Sequence, residues 1–150
     1  MQIIVVSDTH RDTRFIQKLV LLYPQCQYFL HAGDSELNEF ELHPFQSVKG
    51  NCDYFIKNKY RVLELLGVKI FMFHGDHTLL DEDVLEGIGR NNNCDIIIHG
   101  HTHIPYYKNK NGIHLLCPGS TTYPRVSKGT YALITFSSRE DILVEIKNYE

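Results

Sequence analysis

Short polar motifs that carry Asp, Asn and His occur at five places along the chain, each directly after an apolar stretch. They read SDTH at 7–10, GD at 33–34, GNCD at 50–53, HG at 74–75 and GHTH at 100–103. Two Asp, one Asn and four His form a mixed oxygen and nitrogen donor set, which is too large for one tetrahedral zinc ion and suits two divalent ions that share a carboxylate. The candidate ligands are Asp8, His10, Asp34, Asn51, His74, His101 and His103.

The elements that must position these motifs follow from the hydrophobic pattern. Residues 3–6 are a β-branched run typical of a strand buried on both faces. Residues 28–31 are expected to form a second short strand, and 95–98 another buried strand. Helical spacing predicts helices over 13–22 and 79–90. A weak helix is expected over 36–45, a marginal strand over 46–49, two strands within 60–73 that meet at Gly67, and strands over 113–117, 130–136 and 142–146.

This order places β-α units first and an antiparallel section last. It predicts an α/β (α+β) fold in one domain over 1–150, with two packed mixed β-sheets (a β-sandwich) flanked by helices. Ligands in such sheets bind beyond the carboxyl ends of the strands, so all five motifs are expected at one site. In Asp8-x-His10 and His101-x-His103, both side chains point the same way if the segments are extended.

Composition and charge exclude several classes of function. The chain has a net charge of -3, so it does not have the excess of basic residues that drives non-specific binding to nucleic acid or anionic membranes. The longest apolar region, 62–73, is interrupted by Glu64 and Lys69 and is shorter than a bilayer span of roughly 20 residues. The N-terminus has the pattern of a strand and not of a signal peptide, and four scattered cysteines lack metal-binding or disulfide spacing, so a cytoplasmic location is expected.

The order of the five motifs resembles the calcineurin-like metallophosphoesterase superfamily, and more closely its small single-domain bacterial and archaeal phosphodiesterases. The segments PGS at 118–120 and PR at 124–125 resemble the loop that follows in that branch. The resemblance implies two divalent ions, with Mn²⁺ expected first and Ni²⁺, Zn²⁺ or Fe²⁺ as alternatives. It implies that Asp8, His10 and His103 bind one ion, that Asn51, His74 and His101 bind the other, and that Asp34 bridges both.

The same resemblance implies hydrolysis of phosphodiester bonds in a small phosphodiester or nucleotide-like substrate by a hydroxide that bridges the two ions. In the family, the third motif usually reads GNH followed by Asp or Glu, and its histidine protonates the leaving group or stabilises the transition state. Cys52 stands at that position here, with Asp53 at the acidic position beside it, and the resemblance makes both candidate catalytic residues. Because a neutral thiol is a weaker hydrogen-bond donor than imidazolium, we predict activity mainly on activated esters such as nitrophenyl phosphodiesters.

Other polar residues have open roles. His77 follows His74 by three residues, whereas relatives often carry a histidine two residues later, so it is a candidate proton donor, a support for the metal ligands or a surface residue. Asn51 and Arg125 are candidates for contact with the substrate phosphate, although a loop arginine is often only solvated. We predict structural or ligand-supporting roles for His31 and His99, and surface positions for His43 and His114.

Two other functions are compatible with the resemblance. The retromer subunit of this fold mainly contacts other proteins, so a protein-binding scaffold with little or no catalysis is one alternative; the complete ligand set argues against it. A phosphomonoesterase or protein phosphatase is the other, and the short chain and the missing histidine disfavour it. The oligomeric state stays open.

Overall fold

The computed structural model describes residues 1–126 and 128–149. Ten strands and three helices lie in this part of the chain. In chain order they are β1 Gln2–Val6, α1 Arg14–Leu22, β2 Tyr28–His31, α2 Glu39–Leu42, β3 Phe45–Ser47, β4 Tyr60–Leu65, β5 Val68–Phe73, α3 Glu82–Asn91, β6 Ile96–Ile98, β7 Tyr106–Lys110, β8 Ile113–Cys117, β9 Thr130–Thr135 and β10 Leu143–Asn148. No helix among the described residues has the length and hydropathy needed to cross a bilayer.

The strands form two five-stranded sheets, with the orders β10-β9-β1-β2-β3 and β4-β5-β6-β8-β7. Both sheets are mixed. In the first, β1 is parallel to β2 and antiparallel to β9; in the second, β5 is parallel to β6 and antiparallel to β4. The prediction of two packed mixed sheets with flanking helices is confirmed.

Strand β1 shows how the two layers of core arise from one apolar run. Ile3 and Val5 belong to the core between the sheets, which also contains Ile70 and Ile98 of the second sheet. Ile4 and Val6 point to the opposite face and pack in a second core with Phe15 of α1. Because side chains alternate along a strand, a strand covered by a sheet on one face and a helix on the other must be apolar throughout.

The helices are shorter than the apolar periodicity suggests. Helix α3 begins at Glu82 and not at residue 79, because the side chain of Asp81 caps it by accepting the N–H of Val84 at 2.8 Å. The weak helix expected over 36–45 is reduced to the four residues of α2, whose start is fixed by a capping box between Asn38 and Glu41.

The sequence predicts one hairpin turn correctly and misses one edge strand. The predicted meeting of two strands at Gly67 is confirmed, since Leu66 and Gly67 have φ of 51° and 78° and link β4 to β5 in a two-residue hairpin. Strand β7 was not predicted, because its sequence YYKNK lacks an apolar run. It pairs with β8 and covers His114, which is 7% exposed and bonds to the Tyr107 hydroxyl at 2.7 Å, so the predicted surface position of His114 is wrong.

Candidate metal centre

The five polar motifs follow the carboxyl ends of β1, β2, β3, β5 and β6. Within each sheet these strands run parallel, so their carboxyl ends meet at one edge. Backbone hydrogen bonds join the loops there: the N–H of Asp8 donates to the carbonyl of Gly33 at 2.9 Å, and the N–H of Gly100 donates to that of His74 at 3.1 Å. The loops of both sheets therefore share one site.

One side of the site contains Asp8, His10 and His103. The Nε2 atoms of His10 and His103 are 3.3 Å apart, and His103 Nε2 lies 3.4 Å from Asp8 Oδ1. Their potential ligand atoms all lie within 4.8 Å of one another. This is the group that the family resemblance assigns to the first ion.

The other side is centred on His74. Its Nε2 atom lies 3.2 Å from Asp34 Oδ2, 3.1 Å from Asn51 Oδ1 and 3.8 Å from Asp8 Oδ1. The ring of His101 lies 5.2 Å from that of His74 between centroids. Asp8 belongs to both groups and so joins five of the candidate ligands, and Asn51 Oδ1 adjoins His74. His101 belongs to none of the potential metal-binding groups in the described residues and adjoins the centre through its ring contact with His74 and its N–H to Asp8.

The carboxylate of Asp8 has one oxygen with partners and one without. Oδ2 accepts the hydroxyl of Ser7 at 2.6 Å and the N–H of His101 at 3.0 Å. Oδ1 is buried and is one of only two buried side-chain oxygen or nitrogen atoms in the described residues that lack a hydrogen-bond partner. A buried anionic oxygen without a donor is costly, and a cation between Asp8 Oδ1 and the neighbouring Nε2 atoms would satisfy it. The donor set thus fits a metal ion.

Three histidines are oriented through their outer ring nitrogens. The Nδ1–H of His74 donates to the carbonyl of Ala32 at 2.8 Å, and that of His103 donates to the carbonyl of Tyr123 at 2.7 Å. His10 Nδ1 contacts Glu36 Oε2 at 2.9 Å. In a neutral ring, a carbonyl or carboxylate on Nδ1 leaves Nε2 with a lone pair directed into the centre, as in metal-binding histidines. Sequence reasoning missed Glu36, although it lies only two residues after Asp34.

The charges at the centre are coupled. Burial of His74 opposes its protonation, but the hydrogen bond with Asp34 and the charge of Asp8 outweigh burial and raise the pKa of His74 to about 9. Burial raises the pKa of Asp34, but His74 and the N–H of Cys52 outweigh it and lower the pKa to about 2. Without an ion, the carboxylates are anionic and His74 carries a proton in the position where a cation would be favoured.

The loops at the centre do not have the extended backbone that the i, i+2 spacing suggested. Asp8 and His10 have φ of 55° and 42°, and His101 and His103 have φ of 75° and 62°. The condition of an extended backbone is therefore not met, and inter-loop hydrogen bonds such as His10 N–H to the Asp34 carbonyl at 3.0 Å accompany the left-handed backbone. Left-handed conformations of non-glycine residues are strained, and such strain concentrates at functional sites.

Cys52 and Asp53 lie in the same loop but make different contacts. The Sγ atom of Cys52 lies within 4.8 Å of potential ligand atoms of His10 and Glu36. Burial, followed by the charges of Asp34 and Glu36, raises the pKa of Cys52 to about 11, so its thiol is neutral. Both oxygens of Asp53 accept backbone N–H groups: those of Asp34 at 2.8 Å and Gly50 at 2.7 Å on one oxygen, and that of Glu36 at 2.8 Å on the other. Asp53 therefore ties two ligand loops together.

A cleft of about 540 Å³, which we call the lysine cleft, opens beside the centre. It is lined by Lys49, Gly50, Asn51, Lys59, Phe73, His74, Gly75, Asp76, His77 and Thr78. His77 lies on its rim with a side chain that is 94% exposed and 3.3 Å from Asp76, and it belongs to none of the three potential metal-binding groups found in the described residues.

Arg125 and His31 are each hydrogen-bonded to residues of the ligand loops. Arg125 is exposed, and its backbone N–H donates to the His103 carbonyl at 3.2 Å, which places this loop next to the first group of ligands. His31 is buried; its Nδ1 accepts the N–H of Gly33 at 3.1 Å, so its Nε2–H donates to Thr9 Oγ1 at 2.8 Å. Burial lowers the pKa of His31 to about 3, and its role is structural.

Comparison with known proteins identifies the class to which this fold and site belong. The sequence profile of the calcineurin-like phosphoesterase superfamily domain matches residues 1–139, so the chain belongs to that superfamily. A probable metallophosphoesterase of Methanocaldococcus jannaschii is 33% identical over 135 residues, which cover 83% of this chain and 70% of the relative. The crystal structure of an uncharacterized predicted phosphoesterase from Streptococcus pneumoniae is 28% identical, with a TM-score of 0.85, and the match covers 99% of this chain and 89% of that one.

Two more distant similarities concern activity and fold. The phosphodiesterase YfcE of Escherichia coli K12 is 24% identical over 156 residues, which cover 83% of this chain and 82% of the relative. The crystal structure of Vps29 from Entamoeba histolytica, complexed with Zn²⁺, is 22% identical with a TM-score of 0.76 and full coverage of both chains. The latter similarity shows the shared fold.

Proposed function

We propose that this protein is a phosphodiesterase that hydrolyses the diester bond of a small, nucleotide-like substrate at a centre of two divalent ions. The observation that carries the proposal is the unpartnered, buried Oδ1 of Asp8, which lies within 3.8 Å of the Nε2 atoms of His74 and His103. Membership of the phosphoesterase superfamily and the similarity to the phosphodiesterase YfcE support the reaction class.

The ligands divide between two ions as the resemblance implies. Asp8, His10 and His103 would hold one ion, Asn51, His74 and His101 the other, and Asp34 would bridge them. When bound, two such ions supply an activated water as nucleophile and positive charge opposite the phosphoryl oxygens. The donor set does not select one metal, and Mn²⁺ remains the first expectation, followed by Ni²⁺, Zn²⁺ and Fe²⁺.

The chain's own residues orient the substrate. We assign Asn51 and Arg125 to the substrate phosphate, since Asn51 faces both the metal centre and the lysine cleft, and Arg125 lies on the loop bonded to His103. Arg125 can form two parallel hydrogen bonds to a phosphate through its guanidinium group.

The supply of a proton to the leaving group is the weak step. Cys52 offers a neutral but weak donor. The three backbone donors on Asp53 favour a role in holding the loops over the catalytic role that its place in the motif suggested. His77 would reach a leaving group only in the cleft. Esters with good leaving groups are therefore the expected substrates in an assay.

A protein-binding scaffold and a phosphomonoesterase are the alternatives. The fold shared with Vps29 supports the first. A scaffold, however, has no need of an unpartnered buried carboxylate oxygen beside three oriented histidines, and this favours the enzyme.

The test is hydrolysis of bis(4-nitrophenyl) phosphate and 4-nitrophenyl phosphate by the metal-stripped protein, with Mn²⁺, Ni²⁺, Zn²⁺ or Fe²⁺ added in turn. We expect metal-dependent turnover that is faster for the diester and is lost in Asp8→Ala. Asp83→Ala, an exposed change on α3, is the control and should keep wild-type turnover. The absence of turnover with all of these ions would rule out the proposal, and faster turnover of the monoester would identify a phosphomonoesterase.

A further inference from the structure

Two lysines lie together beside the metal centre for a structural reason. The backbone N–H of Lys49 donates to the carbonyl of Asn58 at 2.7 Å, which brings the segment after β3 against the segment before β4. Lys59 follows directly, and both lysines line the lysine cleft. In the described residues neither ammonium group has a carboxylate partner. Two lysines without a carboxylate partner in the described residues thus line the same cleft.

The rest of the cleft is compatible with an anionic, partly apolar ligand. Among the described residues, Asp76 is the one carboxylate that lines the cleft, and it has His77 at 3.3 Å. Phe73 contributes an aromatic side chain, and Thr78 contributes a hydroxyl group. A volume of about 540 Å³ falls within the usual range of small-ligand sites, roughly 300–1,000 Å³.

The cleft is continuous with the metal centre, because Asn51 and His74 belong to both. A diester whose phosphate lies at the centre would direct one of its two ester groups into the lysine cleft, toward Lys49 and Lys59. A lysine ammonium group is a point charge on a flexible chain, so it binds phosphate without requiring one fixed orientation. Two lysines therefore suit a phosphate group whose exact position differs between substrates.

We infer that the lysine cleft binds a second phosphate group of the substrate, so that the preferred substrates are diesters in which one ester group itself carries a phosphate. This inference rests on the proposed phosphodiesterase function and adds the substrate class to it. Lys49 and Lys59 are then specificity-determining residues, and the metal ligands perform the same role for all diesters.

A matched pair of substrates tests the inference directly. Thymidine 5′-(4-nitrophenyl phosphate) and its 3′-phosphorylated derivative share the reacting group and the leaving group, and differ in one phosphate. We expect the wild-type kcat/KM to be about tenfold higher for the 3′-phosphorylated ester, which corresponds to about 1.4 kcal/mol. The double variant Lys49→Gln/Lys59→Gln should reduce this ratio to about one.

Lys57→Gln is the matched control, because Lys57 is an exposed lysine of the same segment that lies outside the residues lining the cleft. It should keep the wild-type ratio. A ratio of one in the wild type, or a tenfold ratio that persists in the double variant, would overturn the inference. A ratio is insensitive to partial loss of folded enzyme, since both substrates are then affected equally.

A binding experiment separates this inference from the proposed function. Calorimetry of the Mn²⁺-loaded protein with thymidine 3′,5′-bisphosphate and with thymidine 5′-phosphate needs no turnover. Tighter binding of the bisphosphate in the wild type, lost in the lysine double variant, supports the cleft even if no ester is hydrolysed. Equal affinity for the two nucleotides contradicts it even if diesters are hydrolysed.

An oligonucleotide has the same chemistry, a diester flanked by a further phosphate, so a second arm distinguishes the source. A thymidine octanucleotide with a 5′-phosphate is compared with the phosphorylated nitrophenyl ester. Because the cleft has room for about one nucleotide, we expect no internal cleavage of the octanucleotide. Internal cleavage that depends on Lys49 and Lys59 would assign the cleft to a polynucleotide and overturn its assignment to a small diester.

Discussion

The two oxygens of Asp8 have different roles: one holds the loops in place, and the other is available for a ligand. Oδ2 joins the first motif to the last through Ser7 and His101, while Oδ1 has no hydrogen-bond donor within the described residues. Asp34 is arranged similarly, since its Oδ1 accepts the N–H of Cys52 at 2.8 Å and its Oδ2 faces His74. Each carboxylate is held through one oxygen, so that the other is positioned for a ligand.

Neighbouring residues of the GNCD motif should respond differently to substitution. Asn51→Ala removes the oxygen that lies 3.1 Å from His74 Nε2, so we expect metal affinity to fall about 10- to 100-fold. Cys52→Ala should leave metal affinity within about twofold, because the thiol is not needed for either proposed ion. Calorimetric titration of the metal-stripped variants with Mn²⁺ measures both. Equal losses in the two variants would contradict the assignment.

Cys52→His should restore the proton donor of the family motif. General acid catalysis contributes about 10²- to 10⁴-fold, and it matters most when the leaving group is poor. We expect turnover of a phenyl phosphodiester to increase relative to that of the nitrophenyl phosphodiester. Cys52→Gln is the control, because glutamine is similar in size to histidine but cannot act as a general acid. An unchanged ratio of the two rates in Cys52→His would show that this position does not face the leaving group.

The proton on His74 must leave before an ion can bind to Nε2. Because the contacts with Asp34 and Asp8 raise the pKa of His74 to about 9, metal affinity should fall as the pH decreases from 9 to 7. Displacement of one proton predicts a decrease of about tenfold per pH unit. Calorimetry with Mn²⁺ at pH 7, 8 and 9, in buffers of different ionisation enthalpy, counts the protons released. An affinity that does not change with pH would contradict this protonation state.

The candidate ligands could be predicted from residue types at strand ends, but the residues that orient them could not. Ala32 and Tyr123 orient the histidines through their backbone carbonyls, and the identity of a residue does not reveal such a contact in the sequence. Glu36 reaches His10 because its own φ is 60°, a conformation that the sequence does not indicate. Orientation of the ligands therefore depends on loop geometry that only the folded chain defines.

At the scale of elements, glycines set how closely the ligand loops approach one another. A Cβ atom at Gly50 would lie 2.1 Å from Asp34 Oδ1 and 2.6 Å from Asp34 N. Gly50→Ala must displace the Asp34 loop, so we expect loss of most metal binding and about 1–3 kcal/mol of stability. Gly87→Ala is the control, since no atom lies within 4 Å of its added Cβ and alanine favours helix α3 by up to about 1 kcal/mol.

Urea unfolding and Mn²⁺ titration of both glycine variants provide the measurement. The expected result is opposite changes in stability and a loss of metal affinity in Gly50→Ala alone. If Gly50→Ala bound Mn²⁺ like the wild type, the close approach of the two loops would be unimportant for the centre.

Strands could be predicted from the sequence where burial on both faces requires apolar residues. They could not be predicted where pairing with a neighbouring strand is what stabilises them. Strand β6 is buried on both faces and reads III, so its apolar run is unambiguous. Within the described residues, strand β7 is a sheet edge that pairs with β8, and its packing against the cores rests on Tyr106 and Tyr107, which form no apolar run. An edge strand of this kind is stabilised by its partner, and that partner is visible only in the tertiary structure.

At the scale of the whole molecule, the sandwich brings two sheets together so that their loops meet at the centre. The core between the sheets joins Ile3, Leu30 and Val48 of the first half to Ile96 and Leu116 of the second. The ligands from 8–53 and those from 74–103 therefore assemble only when this core forms. Metal binding should stabilise the folded chain as a whole, since an ion bound by both halves opposes their separation.

The stability of the metal-free protein should have a maximum near pH 6.5, because histidine pKa values shift in both directions on folding. Burial lowers the pKa of His31, His99 and His114, whereas contacts with carboxylates raise the pKa of His74 and His103, and His31 and His74 have the largest shifts. Burial lowers the pKa of His31 to about 3, so the unfolded chain takes up a proton below pH 6.5 that the folded chain excludes, and stability decreases as the pH falls. The raised pKa of His74, about 9, gives stability that is present below pH 6.5 and is lost as the pH rises toward 9. Each group contributes a slope of up to about 1.4 kcal/mol per pH unit.

Urea unfolding of the chelator-treated protein between pH 4.5 and 9 measures this curve, in a range where the low pKa of Asp34, about 2, adds little. His31→Gln should reduce the acid slope, because its amide can accept the Gly33 N–H and donate to Thr9 without titrating, while His99 and His114 still contribute. His43→Gln, at an exposed histidine, should keep the wild-type curve. An acid slope that is equal in His31→Gln and the wild type would show that His31 is not the group that limits stability at low pH.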